Sequence, residues 1–82
     1  MPKPYYIYIE SELREGNYTK IAELLHQFGK YKGYPIKIIE KKLMDLVNLY
    51  RDLRHDDTQI ALMIDEQWLK KGSQRRAHMV VA

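Results

Sequence analysis

Residues 35–54, PIKIIEKKLMDLVNLYRDLR, carry the most regular apolar pattern in the chain. Apolar residues recur there at alternating spacings of three and four, at Ile36, Ile39, Leu43, Leu46, Tyr50 and Leu53. This period predicts a helix, and Pro35 suits its first position because an N–H is not needed in the first turn. Val47 and Leu49 widen the apolar stripe, which favours a helix packed on two neighbours over a two-stranded coiled coil.

Two further helices are predicted on either side of this segment. Apolar residues with the same period indicate a helix over about residues 18–28, with Asn17 as its N-cap and Gly29 as its stop. A similar pattern indicates a helix over about residues 57–71, which Asp56 can cap. The expected fold class is therefore mainly α, a three-helix bundle-like domain whose long central helix packs between the other two.

The N-terminal stretch is the ambiguous element. Residues 5–9, YYIYI, are β-branched or aromatic throughout, which favours a short β-strand. A lone strand leaves its backbone groups unpaired, so we expect this one to pair with residues 77–81 or with a partner chain. The alternative is a helix that Pro4 opens, that runs to Arg14 and that ends at Gly16.

Length and composition set the general class of the protein. With 82 residues we expect a single domain over 1–82, with residues 1–4 and 72–76 flexible. The chain has no cysteine, so neither disulfides nor thiolate metal sites are available to it. The apolar runs are too short for a membrane span or a signal peptide. We therefore expect a cytoplasmic or otherwise intracellular protein with no membrane contact.

The candidate catalytic and metal-binding groups all have structural interpretations. Glu23 and His26 form a Glu-x-x-His motif, but a di-metal site needs two such motifs, so this one is interpreted as a solvated pair. His55 and Asp56 are adjacent, and Asp56 is already explained as a helix cap. The sequence contains neither a nucleophile motif nor a phosphate-binding loop. We expect a non-enzymatic protein that needs no metal or cofactor and takes no small-molecule substrate.

Tyrosine is the unusual residue type in this chain. There are seven tyrosines against one phenylalanine and one tryptophan. Tyrosine supplies rigid contact area at low entropic cost and is enriched at interfaces. The hypothesis is a small protein-interaction module: an adaptor, an inhibitor, or a subunit of a larger assembly or homo-oligomer. Its predicted partner-binding residues are Tyr6, Tyr8, Tyr31 and Tyr34.

The alternative hypothesis is a small nucleic-acid-binding regulator. The formal net charge is +3, and basic residues cluster in the loop before the long helix, along that helix and near the C-terminus. Such residues contact phosphates, and tyrosines between them can stack on bases. The predicted contact residues are Lys30, Lys32, Lys37, Lys41, Lys42, Arg75 and Arg76. The first turns of the long helix hold no Arg, Gln or Asn to read bases, so this binding would depend on phosphates.

Overall fold

The computed structural model describes residues 5–69, which fold almost entirely into helices. The helices of that range are α1 (Tyr5–Glu15), α2 (Tyr18–Gln27), α3 (Ile36–Asp52), α4 (Asp57–Ile64) and a π-helix, Asp65–Leu69. The mainly α fold class is confirmed, and α2 and α3 lie where the apolar period predicts helices. α4 and the π-helix share the range predicted as one helix over 57–71, and the three-helix count is wrong because residues 5–15 form a further helix. The predictions for residues 1–4, 70–71, 72–76 and 77–81 fall outside the described residues.

The β-strand predicted at residues 5–9 is wrong, because these residues form the first half of α1. In a helix, Ile9 and Leu13 share one face, and both are buried, while Tyr6 packs against the same core. A helix pairs most of its backbone N–H and C=O groups internally. A strand at residues 5–9 would have no partner strand within residues 5–69. Burial of one face has overridden the strand preference of the side chains.

Specific contacts hold both ends of α1, and Gly16 ends this helix as the alternative helical interpretation of the sequence predicted. Gly16, at φ +74°, ends α1: its N–H donates to the Leu13 carbonyl at 3.1 Å, and the Asn17 N–H donates to the Glu12 carbonyl at 2.9 Å. This pair of bonds is a Schellman motif. At the other end, the Tyr6 N–H donates to Asp65 Oδ2 at 3.1 Å. A buried carboxylate from the π-helix thus satisfies a first-turn N–H of α1.

The helix caps predicted from the sequence behave differently from each other. Asp56 caps α4 in a capping box, because its carboxylate accepts from the Gln59 N–H and the Gln59 side chain accepts from the Asp56 N–H. Asn17 occupies the N-cap position of α2, but its side chain makes no capping bond. It donates instead to the carboxylates of Glu12 and Glu15, so it stabilises the turn between α1 and α2.

The helices pack as two pairs around one core. α3 packs chiefly on α2, and α1 packs chiefly on α4, with a smaller contact between α1 and α2. The expectation that the long helix packs between the other two is therefore wrong: α3 has one extensive neighbour. The fully buried core side chains come from all four α-helices and include Ile9, Ile21, Leu25, Ile39, Leu43, Val47, Ile60 and Ile64. No helix within residues 5–69 is long and apolar enough to cross a membrane.

The loop between α2 and α3 is anchored on the π-helix through Gly29. Gly29 has φ +98°, and a Cβ added to it would lie 2.1 Å from the Trp68 carbonyl oxygen. That same oxygen accepts the Lys30 N–H at 2.9 Å. Only glycine permits both the left-handed backbone and this close approach, so the residue predicted as a helix stop also joins two parts of the fold.

Gly29→Ala is expected to lower the free energy of unfolding by about 3 kcal/mol or more, because the methyl group displaces Trp68 and strains a positive φ. Gly33→Ala is the matched control: it has φ +84° with nothing within 4 Å of its added Cβ. Its cost should be only about 1–2 kcal/mol. Urea unfolding, followed by the fluorescence of the single tryptophan, measures both. Equal losses for the two variants would show that the contact with Trp68 does not hold the loop.

Candidate functional site

The N-terminal tyrosines do not form one surface. Tyr6 is half-buried and packs against the core, so it belongs to the scaffold. Tyr8 is exposed, and partial burial together with the charges of Glu12 and Glu23 raises its pKa. Tyr5 stacks on Phe28 with ring centroids 6.0 Å apart, a contact that the sequence pattern did not indicate. The two tyrosines predicted as partner-binding therefore lie in different environments: Tyr6 is half-buried and Tyr8 is exposed.

The loop of residues 28–35 holds its shape through backbone hydrogen bonds. The Gly33 N–H donates to the His26 carbonyl at 2.9 Å, and the Tyr34 N–H donates to the Tyr31 carbonyl at 3.0 Å. The Nδ1 atom of His26 lies 2.7 Å from the Tyr34 carbonyl oxygen. Since a carbonyl can only accept, Nδ1 carries the hydrogen in this bond. His26 of the Glu-x-x-His motif thus positions the loop.

Tyr31 is the centre around which the loop packs. Its ring meets Trp68 edge-to-face at 5.0 Å and Tyr34 edge-to-face at 5.2 Å, and it is half-buried against the core. The ammonium groups of Lys30 and Lys42 lie 5.3 Å and 5.7 Å from the centroid of the same ring. Both distances fall within the range of a cation–π interaction. Tyr31 therefore orders two lysines, while Tyr34 is exposed beside it.

The predicted basic residues fall into separate groups. Lys30 and Lys42, from the loop and from α3, converge on Tyr31. Lys37 and Lys41 lie four residues apart on another side of α3, and Lys41 pairs with Asp45 at 3.1 Å. Lys32 is exposed on the loop. Arg75 and Arg76 fall outside the described residues. The structure thus brings together two of the five predicted lysines that it describes, rather than all of them.

One surface on α3, facing away from its core side, was not identified from the sequence. Ile38, Lys42, Asp45 and Leu49 follow a helical spacing of four, three and four residues, and Leu53 continues the line just beyond the helix. We call these five residues the outer face. Its apolar members are well exposed: Ile38 is 46%, Leu49 is 53% and Leu53 is 58% exposed. The signal for it was present in the sequence, because the apolar stripe of α3 is too wide for one neighbour.

Residues 5–69 contain no group of three histidine, aspartate or glutamate side chains arranged to hold a metal ion. A depression of about 420 Å³ lies beside the end of α3 and includes Tyr50, His55, Leu62, Met63 and Glu66 in its lining. The His55 ring lies against Tyr50, with centroids 5.1 Å apart.

Comparisons with known proteins return no match for this chain. No family model matches it, and neither the curated proteins nor the solved structures yield a similar chain. The interpretation of function therefore depends on the surfaces described above.

Replacing each of the two loop tyrosines by alanine distinguishes the ring that supports the fold from the ring that is exposed. Tyr31→Ala is expected to lower the free energy of unfolding by about 2–4 kcal/mol, because it leaves a cavity beside Trp68 and the core. Tyr34→Ala should cost no more than about 1 kcal/mol, since its ring is exposed and loses one edge-to-face contact. Thermal or urea unfolding of both variants makes the comparison. Similar losses would contradict the division between the two rings.

Proposed function

We propose that this chain is a small, non-enzymatic protein-interaction module that binds through the outer face of α3. The observation that carries this proposal is the exposure of Ile38 and Leu49 in one line along the longest helix, with Leu53 continuing that line just beyond its end. Single exposed apolar residues are common on proteins, but here three of them lie in one strip, with Lys42 and Asp45 between Ile38 and Leu49. A partner that covers this strip removes apolar surface from water, which favours association.

The loop beside α3 adds the features of an interface edge. Tyr34 is exposed at the point where the chain enters α3, and its ring is held by Tyr31 at 5.2 Å. Lys30 and Lys42 lie next to it around the Tyr31 ring. Protein interfaces commonly combine an apolar centre with a polar rim, and aromatic residues are enriched in them. The predicted contact role of Tyr34 fits this arrangement, whereas Tyr6 and Tyr31 support the fold.

Ile38→Arg is expected to weaken partner binding at least tenfold, because the partner would bury a second cation beside Lys42 without a counterion. The unfolding free energy should change by less than about 0.5 kcal/mol, since Ile38 is exposed. A photo-reactive amino acid at position 49 in the full-length protein, irradiated in its native cells, measures the binding through the cross-linked proteins recovered.

The matched control places the same substitution or the same photo-reactive group at Leu62. Leu62 is a leucine of similar exposure on α4, away from the outer face. Cross-linked proteins should form from position 49 and be lost in an Ile38→Arg background, whereas Leu62→Arg should leave them intact. Identical products from positions 49 and 62, unaffected by Ile38→Arg, would contradict an interface on α3.

Contact with nucleic acid is a second candidate function, supported by the convergence of Lys30 and Lys42. Neither ammonium group forms an ion pair with a carboxylate within residues 5–69, so both charges are available to an anion. The Tyr31 ring between them is already packed against Trp68 and Tyr34, which leaves it poorly placed to stack on a base. This binding would therefore depend on phosphate contacts and would be sensitive to salt.

For this second candidate, Lys30→Ala combined with Lys42→Ala should weaken binding to short single-stranded and duplex oligonucleotides and reduce the salt slope by about two. Lys37→Ala with Lys41→Ala, an equal loss of charge on another side of α3, is the control. Fluorescence anisotropy over a salt series makes the measurement. No binding at about 50 mM salt, or equal effects of the two double variants, would reject this candidate.

A further inference from the structure

The outer face of α3 has the same spacing in both directions. From Ile38 the spacing to Lys42, Asp45 and Leu49 is four, three and four residues, which is also the spacing from Leu49 back to Ile38. An apolar residue stands at each end, and opposite charges stand between them. Because the spacing is symmetric, a second α3 laid antiparallel on the first aligns these positions along a helix of constant rise.

The antiparallel alignment pairs each residue with a suitable partner. Ile38 comes to lie opposite Leu49 of the second copy, and Lys42 opposite Asp45 of the second copy. By two-fold symmetry the same contacts occur again with the copies exchanged. Leu53 lies beyond Leu49 along the same line and approaches Tyr34 of the second copy, and both of these side chains are exposed. Apolar contacts thus flank two symmetric charge pairs.

A parallel arrangement in register lacks this complementarity. It would place Lys42 against Lys42 and Asp45 against Asp45 of the second copy, so that like charges meet at the centre of the contact. Juxtaposed like charges disfavour association and select against that orientation. The order of charges along the outer face therefore distinguishes one orientation of a second copy from the other.

The charged pair is available for contact between copies. Asp45 accepts from Lys41 at 3.1 Å within the chain, but the side chains of both residues are largely exposed, so this pair contributes little by itself. A carboxylate also has room for a second donor. Lys42 is held near the loop by the Tyr31 ring, and its ammonium group forms no ion pair within the described residues.

We infer that the partner of the outer face is a second copy of this chain, bound as an antiparallel, two-fold symmetric pair of α3 helices. This inference rests on the proposed function, because it names the occupant of the same face. The seam contains six residues from each copy: Tyr34, Ile38, Lys42, Asp45, Leu49 and Leu53. That is fewer than the roughly 20–30 residues per side of a standard stable interface, so the dimer is reversible and depends on concentration.

Charge exchange tests the pairing of Lys42 with Asp45. Lys42→Glu and Asp45→Lys should each weaken self-association at least about tenfold, because each variant places like charges opposite each other. An equimolar mixture of the two variants should dimerise again, since a chain with two acidic groups on its outer face then meets a chain with two basic groups there. Sedimentation velocity over a concentration series measures the unmodified protein, each variant and the mixture. Recovery in the mixture also demonstrates that both variants are folded.

Lys37→Glu is the matched control for the charge exchange. It makes the same change on the same helix but away from the outer face, so it should leave the dimer unchanged. A dimer weakened equally by Lys37→Glu and Lys42→Glu would reflect net charge alone and would overturn the proposal. A mixture that stays monomeric while the unmodified protein dimerises would overturn it as well.

Cysteine pairs test the register, because the chain has no cysteine of its own. An oxidised mixture of Ile38→Cys and Leu49→Cys chains should give a disulfide-linked heterodimer. Neither variant alone should cross-link, because the antiparallel register separates two copies of position 38, and likewise two copies of position 49, by about 16 Å along the helices. Cross-linking of Ile38→Cys with itself, at a level equal to the mixture, would contradict the antiparallel register.

The remaining outcomes separate this inference from the proposed function. A protein that is monomeric at all concentrations, but whose position 49 still cross-links to other proteins, overturns the self-association and leaves the interaction module intact. A second outcome concerns a double variant that carries Leu49→Cys and Met79→Cys. If this variant is monomeric and its two cysteines form an intramolecular disulfide, the C-terminal residues occupy the outer face, which also overturns the inference. A dimer that survives both charge variants, with no cross-linking from position 49, rejects α3 as the interface altogether.

Discussion

The close approach of Gly29 to the Trp68 carbonyl is the constraint on which the surface of this protein depends. It fixes the loop between α2 and α3 against the π-helix, and the Lys30 N–H completes the contact at 2.9 Å. Trp68 then supports the Tyr31 ring, which in turn lies beneath the ammonium groups of Lys30 and Lys42. A single backbone contact that only glycine permits therefore orders the loop, its aromatic rings and the start of the outer face.

The π-helix serves as an anchor for two distant parts of the chain. Trp68 holds the loop before α3, and three residues earlier Asp65 accepts the Tyr6 N–H and so holds the start of α1. The wider turn of a π-helix is rare, and it is frequently found where a fold has a local functional or structural requirement. Here it follows α4 directly and presents both Asp65 and Trp68 towards the interior. The pairing of α1 with α4 and the position of the α2–α3 loop are thus linked through five residues.

α3 has two apolar faces with different roles. Ile39, Leu43 and Val47 are fully buried and build the core with α2. Ile38 and Leu49 are exposed on the outer face, where Lys42 and Asp45 lie between them. Burial of one face accounts for the fold, whereas the apolar side chains of the second face remain exposed within residues 5–69. An apolar strip with a symmetric order of charges is suited to contact with another helix, and this asymmetry between the two faces is the basis of the proposed function.

The sequence by itself determined the elements whose signals are local. The apolar period predicted α2 and α3 close to their observed bounds, and it predicted one helix in the range that α4 and the π-helix share. Asp56 was identified as a cap because capping chemistry involves neighbours within four residues. The wide apolar stripe along α3 included Leu49 and Leu53 of the outer face, but the sequence did not show which residues would remain exposed. Only the tertiary structure decided that residues 5–9 are helical, that Tyr6 and Tyr31 pack partly buried against the core, and that α3 has one extensive neighbour. The physical reason is that burial depends on which faces meet in space, and that choice involves contacts such as Tyr6 with Asp65 and Gly29 with Trp68 that lie far apart in the chain.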